Sequence, residues 1–193
     1  MRKLALRDEI LLQIDKAARY IGGEVNAVMK NKDAVDIRFA MAFPDVYEIG
    51  MSNLGMMILY DMFNKRDDVW CERLFSPWTD LDKIMREEHI PLFTLESQDP
   101  VKEFDFLGIT LGYEMCYTNV LQLLDLSGIP LLAKERTEDD PLESAEARVH
   151  TILSHLHRSL TFSISERVKW FMEPFLTLTR QTRRPVAADR ISF

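Results

Sequence analysis

Two turns in this chain carry the residue types that close contact with a ligand requires. The first is Phe43-Pro44-Asp45-Val46-Tyr47-Glu48-Ile49-Gly50-Met51-Ser52-Asn53-Leu54-Gly55. The second is Gly108-Ile109-Thr110-Leu111-Gly112-Tyr113-Glu114-Met115-Cys116-Tyr117-Thr118-Asn119. Glycines let a backbone approach closely, and the amides of a helix start can hold an anionic group. The same residues also suit the ordinary turns of an alternating fold, and spacing alone does not separate the two readings. Asp45 and Glu48 form a carboxylate pair that could do acid–base work, although such pairs in turns more often serve as caps or solvated groups. His150, His155 and His157 fall at helical spacing, as zinc ligands can. Cys71 and Cys116 lie too far apart for a metal motif, and each reads as a small core residue.

The elements around these turns are legible from their periodicity. Residues 8–19 place Ile10, Leu11, Ile14, Ala17 and Ala18 on one face, which predicts an amphipathic helix ended by Gly22-Gly23. Val35 to Phe43, closed by Pro44, reads as a strand. Leu54 to Phe63 reads as a helix with Ser52 or Asn53 as cap, and Asp80 to Glu88 as a surface helix capped by Thr79. Pro91 to Leu95, Phe106 to Leu111 and Ile129 to Ala133 read as strands, and Tyr117 to Leu126 as a helix closed by Gly128. This alternation predicts an α/β fold, a doubly wound parallel sheet, whose ligands lie beyond the carboxyl ends of its strands.

Composition bounds the function. The 193 residues are 47% apolar and 28% charged, the balance of a globular protein. No apolar run approaches the ~20 residues that span a bilayer, and the N-terminus has no signal-peptide pattern. A cytoplasmic protein fits best. Residues 1–142 carry 16 basic and 26 acidic groups, which argues against broad nucleic-acid binding. After Leu142 the character changes: the last 51 residues contain no glycine, cysteine, asparagine or tyrosine, and their net charge is +3.

Several runs together resemble one family. They are Ala18-Arg19-Tyr20-Ile21-Gly22-Gly23-Glu24, the turn from Phe43 to Gly55, Glu72-Arg73-Leu74-Phe75-Ser76-Pro77-Trp78, Pro91 to Ser97, and Tyr113 to Leu121. This combination is similar to the N-terminal domain of radical S-adenosylmethionine (SAM) proteins that begin with a cobalamin-binding-like module. The resemblance covers about Ala17 to Leu142. It implies a Rossmann-like domain, residues 21–142, behind an N-terminal helical segment, residues 1–20, and ahead of a separate radical SAM barrel as partner. It implies cobalamin as the cofactor this domain could hold, with Asp45, Gly50, Ser52, Gly55 and Thr110 as the binding residues. The 4Fe-4S cluster and S-adenosylmethionine belong to the full-length family, because the cluster needs three thiolates and this sequence has two cysteines.

The carry-over departs from the cobalamin pattern. Cobalamin domains place Asp-x-His-x-x-Gly after the first strand, with the histidine on cobalt. Here Asp45-Val46-Tyr47-Glu48-Ile49-Gly50 keeps the frame with tyrosine at the ligand position, and a neutral phenol substitutes poorly for imidazole. The Ser-x-Leu element falls on Thr110-Leu111-Gly112, where the hydroxyl alone survives. Three functions follow as alternatives: a cofactor- or substrate-positioning domain, a stand-alone interaction module without cofactor, and a small enzyme using Asp45 and Glu48.

Residues 143–193 read as an out-of-frame tail, helical or disordered. From Ser144 the shifted codons allow Gly-Gly-Gly-Pro-Cys and then Asn-Pro-Glu-Pro. From Leu160 they allow Gly-Glu-Gly-Glu, and the resembled family continues in that way after its Asp-Asp-Pro-Leu. On this reading the domain is truncated, inactive alone and poorly stable, with an exposed sheet edge, and the three tail histidines are accidental.

Overall fold

The computed structural model describes residues 4–137, 139–147 and 163–164. Its centre is a parallel sheet. Strand β1 (Ile37–Phe43) pairs with β2 (Val69–Phe75) from Ile37↔Val69 to Phe43↔Phe75. On its other side it pairs with β3 (Phe106–Leu111), Phe39 opposite Phe106. Strand β4 (Leu142–Ala147) runs along β3 from Phe106↔Leu142 to Leu111↔Ala147. The strand order is β2-β1-β3-β4, ending in the two-residue strand β5 (Ser163–Ile164). The helices are α1 (Asp8–Leu11), α2 (Ala18–Ile21), α3 (Tyr47–Met51), α4 (Leu54–Asn64), α5 (Thr79–Glu88) and α6 (Tyr117–Leu126). The chain divides into two compact units, residues 1–163 and 164–193, and β1 to β4 lie in the first. The α/β class read from the sequence is the class observed.

Each sheet face has its own core. Ala40, Ala42, Leu74, Leu107, Ile109 and Leu111 share a buried cluster with Leu81 and Met85 of α5 and with Val120, Leu123 and Leu124 of α6. On the opposite face Phe39 stacks on Phe63 of α4 at 4.4 Å and on Phe106 at 6.2 Å. Gly108 makes room for that stack, since a Cβ there would come within 2.5 Å of the Phe39 ring.

Strand β2 is an element the sequence reading did not find. Its seven residues are all buried although Glu72 and Arg73 stand at its middle. Adjacent residues in a strand face opposite ways, and each charge finds its own partners. Glu72 accepts from Arg38 Nη2 at 2.7 Å, Thr94 Oγ1 at 2.7 Å and the Ser97 amide at 2.9 Å. Arg73 donates from Nε to Glu96 at 2.6 Å and stands over the Tyr60 ring at 4.4 Å.

The outer edge of β2 is closed by groups that are not strands. Cys71 donates its amide to Asn64 Oδ1 at 3.1 Å, and its carbonyl accepts from Asn64 Nδ2 at 2.9 Å. The Arg73 amide donates to Glu96 Oε2 at 2.6 Å, and its carbonyl accepts from the Leu95 amide at 2.8 Å. Lys30 Nζ donates to the Val69 carbonyl at 2.6 Å.

Four local expectations are corrected. Residues 8–19 form two short helices instead of one, because Asp15 gives its amide to Asp80 and Lys16 takes a positive φ of 53°. Pro91–Leu95 is an irregular segment: the amides of Leu92, Thr94 and Leu95 go to Leu126, Asp99 and Arg73 in turn. Ile129–Ala133 is not a strand either, since the Ile129 amide closes the end of α6 on Leu124. The sheet edge expected to lie open beyond β3 is covered, by β4 itself. The tail histidines lie outside the described residues.

Candidate functional site

In this strand order the chain leaves β1 to one side and returns to the other, so the crevice between the carboxyl ends of β1 and β3 is the place where such sheets bind ligands. The two marked turns meet there. Asp45, just past β1, accepts the Val46 amide on Oδ1 at 2.7 Å and the Tyr113 hydroxyl on Oδ2. Asn119 Nδ2 donates to the Pro44 carbonyl at 2.9 Å, and the Asp45 carbonyl accepts the Ser76 amide at 3.0 Å. Asp45 thus ties together the ends of three strands. Tyr113 is 43% exposed. The bond to Asp45, helped by burial, pushes its phenol up to about 12, so it remains a neutral donor at ordinary pH.

The other sequence-selected residues have varied surroundings. Gly50 is packed, since a Cβ there would lie 2.2 Å from the Phe75 ring and 3.3 Å from Phe43 Cβ. Its smallness seats α3 on the strand ends. Ser52 Oγ donates to the Ile49 carbonyl at 2.8 Å. The cap of α4 is Asn53, whose Oδ1 accepts the Met56 amide at 2.9 Å, and Gly55 stands exposed in the same first turn. Thr110 is half-buried at the penultimate position of β3, on the sheet face that bears Phe39 and Gly108. The structure joins Asp45 to Tyr113 and Ser76, and Pro44 to Asn119, partners that spacing did not reveal. Gly112, between Thr110 and Tyr113, has nothing within 4 Å of a Cβ position and leaves the crevice mouth open.

Glu48 is held in an ion pair and is not poised as a general base. Glu48 accepts from Arg19 Nη2 at 2.8 Å and from Lys16 Nζ at 3.2 Å. Hydrogen bonding to Arg19 holds its carboxyl at about 2. The carboxyl raised by burial is Glu96, pushed up to about 7, and it sits at the outer edge of β2.

Cobalamin held by a protein ligand is not what these residues fit. Tyr47, at the ligand position, donates its hydroxyl to Glu24 Oε1 at 3.2 Å and sets its ring edge-on to Phe75 at 5.5 Å. Burial, and then the Glu24 carboxylate, push its pKa up, which disfavours a ligating phenolate. Both cysteines are free and buried, and burial pushes the Cys71 thiol up. No group of three metal-ligating side chains occurs among the described residues.

No curated protein and no solved structure matches the chain. Residues 55–148 match the family model of radical SAM proteins, N-terminal.

Proposed function

We propose that residues 21–142 are the cobalamin-binding-like domain of a radical SAM protein and position a cofactor or substrate against its barrel. The observation that carries the reading is the crevice at the carboxyl ends of β1 and β3, bridged by Asp45 and Tyr113 within a domain whose sequence matches that family. Asp45, Ser52, Gly55 and Thr110 are its proposed binding residues, Gly50 serves them by seating α3, and Gly112 and Tyr113 join them. The partner surface is the same carboxyl end of the sheet, where the exposed apolar side chains Ile49, Trp78, Tyr113 and Met115 follow the ends of β1, β2 and β3. Radical chemistry requires cluster thiolates from outside these residues, so the chain alone is inactive, in a cytoplasmic setting. The tail after Leu142 is the product of a shifted frame.

The test is equilibrium dialysis of the full chain against hydroxocobalamin and, separately, S-adenosylmethionine. Saturable binding of either, weakened about tenfold or more by Asp45→Ala, supports the positioning role. Failure of both, with a partner protein held through Trp78 and Met115, supports instead the interaction module without cofactor. Sequencing the DNA from the codon of Asp139 decides the frame: an open shifted frame leading to Cys-x3-Cys-x2-Cys supports it, and immediate closure removes it.

A further inference from the structure

Tyr47 stands where the cobalamin frame would put a cobalt ligand, and its surroundings give it another task. Gly22 and Gly23 take positive φ values of 60° and 91°. They turn the chain so that Glu24 reaches back toward α3. Glu24 accepts the Tyr47 hydroxyl on Oε1, and its Oε2 lies 3.7 Å from Arg73 Nη2. From there the segment laces down the outer edge of β2. Asn26 Oδ1 accepts from Arg73 Nη1 at 3.0 Å, and the Val28 amide donates to Tyr60 at 2.7 Å. The Val28 carbonyl accepts Trp70 Nε1 at 3.0 Å. Tyr47 is the fastening nearest the carboxyl end of the sheet, and its ring is braced on Phe75 at the end of β2.

We infer that Tyr47 is a positioning residue that clamps the 22–28 segment to the β2 edge, so that a group in the β1–β3 crevice receives no metal ligand from position 47. Two features of the geometry carry this. The phenol points to Glu24 and Phe75, on the β2 side, while the crevice spanned by Asp45 and Tyr113 is on the β3 side. Asp45, which the frame would use to orient a ligating histidine, has its two oxygens taken by Val46 and Tyr113. An imidazole at position 47, too short to keep the bond to Glu24, would still stand on the β2 side and leave cobalt alone. The clamp stands independently of the positioning role proposed above; the statement about the crevice rests on it.

The experiment compares the full chain with Tyr47→Phe, Tyr47→His, Glu24→Gln and the Tyr47→Phe/Glu24→Gln pair. Hydrogen exchange of the amides from Glu24 to Lys30 reads the clamp. Losing one hydrogen bond to a carboxylate speeds exchange about tenfold in Tyr47→Phe, and the double variant is no faster than the faster single one. Unchanged exchange in Tyr47→Phe, or multiplicative effects in the pair, overturns the inference. The ligand question is read by electron paramagnetic resonance with cob(II)inamide, which lacks the nucleotide base, so that any nitrogen splitting of the cobalt lines comes from the protein. No splitting is expected in Tyr47→His, and a threefold nitrogen pattern overturns the inference. If cobinamide does not bind at all, exchange still decides the clamp, and the crevice reading is what fails.

Discussion

Replacing Asn64 should show how much the closed edge of β2 depends on one amide. Asn64 ends α4 and offers Cys71 both halves of a strand partner, an acceptor at 3.1 Å and a donor at 2.9 Å. Asn64→Leu keeps the side-chain shape and removes both. Cys71 is wholly buried, so its amide and carbonyl would each lose a partner, at about 1–3 kcal/mol apiece. The better helix propensity of leucine returns about 0.5 kcal/mol, and water can reach part of the half-buried site. A net loss of about 3 kcal/mol follows, or about 10 °C in Tm for a chain of this size. Urea unfolding followed by tryptophan fluorescence would measure it, since Trp70 is in the same strand. Asn64→Asp is the sharper control. It retains the acceptor for the Cys71 amide but sets a carboxylate oxygen against the Cys71 carbonyl, so it should lose as much at neutral pH and recover partly when protonated. An Asn64→Leu variant within about 0.5 kcal/mol of the parent would refute the idea that this amide stands in for a strand.

Gly50→Ala should cost about 1–3 kcal/mol by overpacking, because its Cβ would meet the Phe75 ring at 2.2 Å; a urea midpoint equal to the parent's would show that α3 can shift freely. Glu96 and Glu48 should give opposite pH dependences. The folded pKa of Glu96 is raised to about 7 from 4.5, so its contribution to stability is full below about 4.5 and declines as pH rises through 7. The folded pKa of Glu48 is lowered to about 2, so its contribution is present above about 4.5 and is lost as pH falls toward 2. It is a small contribution, because that ion pair is solvent-screened. Urea midpoints against pH for Glu96→Gln and Glu48→Gln test both signs. In Asp45→Asn the Tyr113 phenol should titrate nearer ~10 than about 12, read as tyrosinate absorbance; no change would break the Asp45–Tyr113 assignment.

What could be read from sequence follows from where each determinant lies along the chain. Phe106–Leu111 and Tyr117–Leu126 are found at the expected bounds, and α4 within a residue, because an apolar run with a local cap or glycine stop specifies them. Strand β2 escaped because Glu72-Arg73 breaks its apolar pattern, and the groups that compensate those charges come from Arg38, Thr94 and Glu96. The helix expected over residues 8–19 is interrupted by a contact with Asp80, which no local pattern contains. The two turns of the crevice were visible as glycine- and cap-rich runs. The bond that joins them is between residues 68 apart, so Tyr113 could not be matched to Asp45. Gly50 was selected for ligand approach, whereas the space it leaves is filled by Phe75.

The neighbouring charges Glu72 and Arg73 have a consequence for how the chain folds. A parallel strand rich in apolar residues can slide by one position against β1 with little loss of burial if both faces are buried. In β2 a slide of that kind would exchange the two faces. It would bring Arg73 against Arg38, and Glu72 against Glu96, where now each meets its opposite. Two buried like-charge encounters would replace two ion pairs, a penalty that grows as water leaves. Electrostatics thus proofreads the register of the edge strand. A misaligned β2 would be rejected as its contacts dry, because the repulsion strengthens with each water lost, and the sheet would close only from the correct alignment.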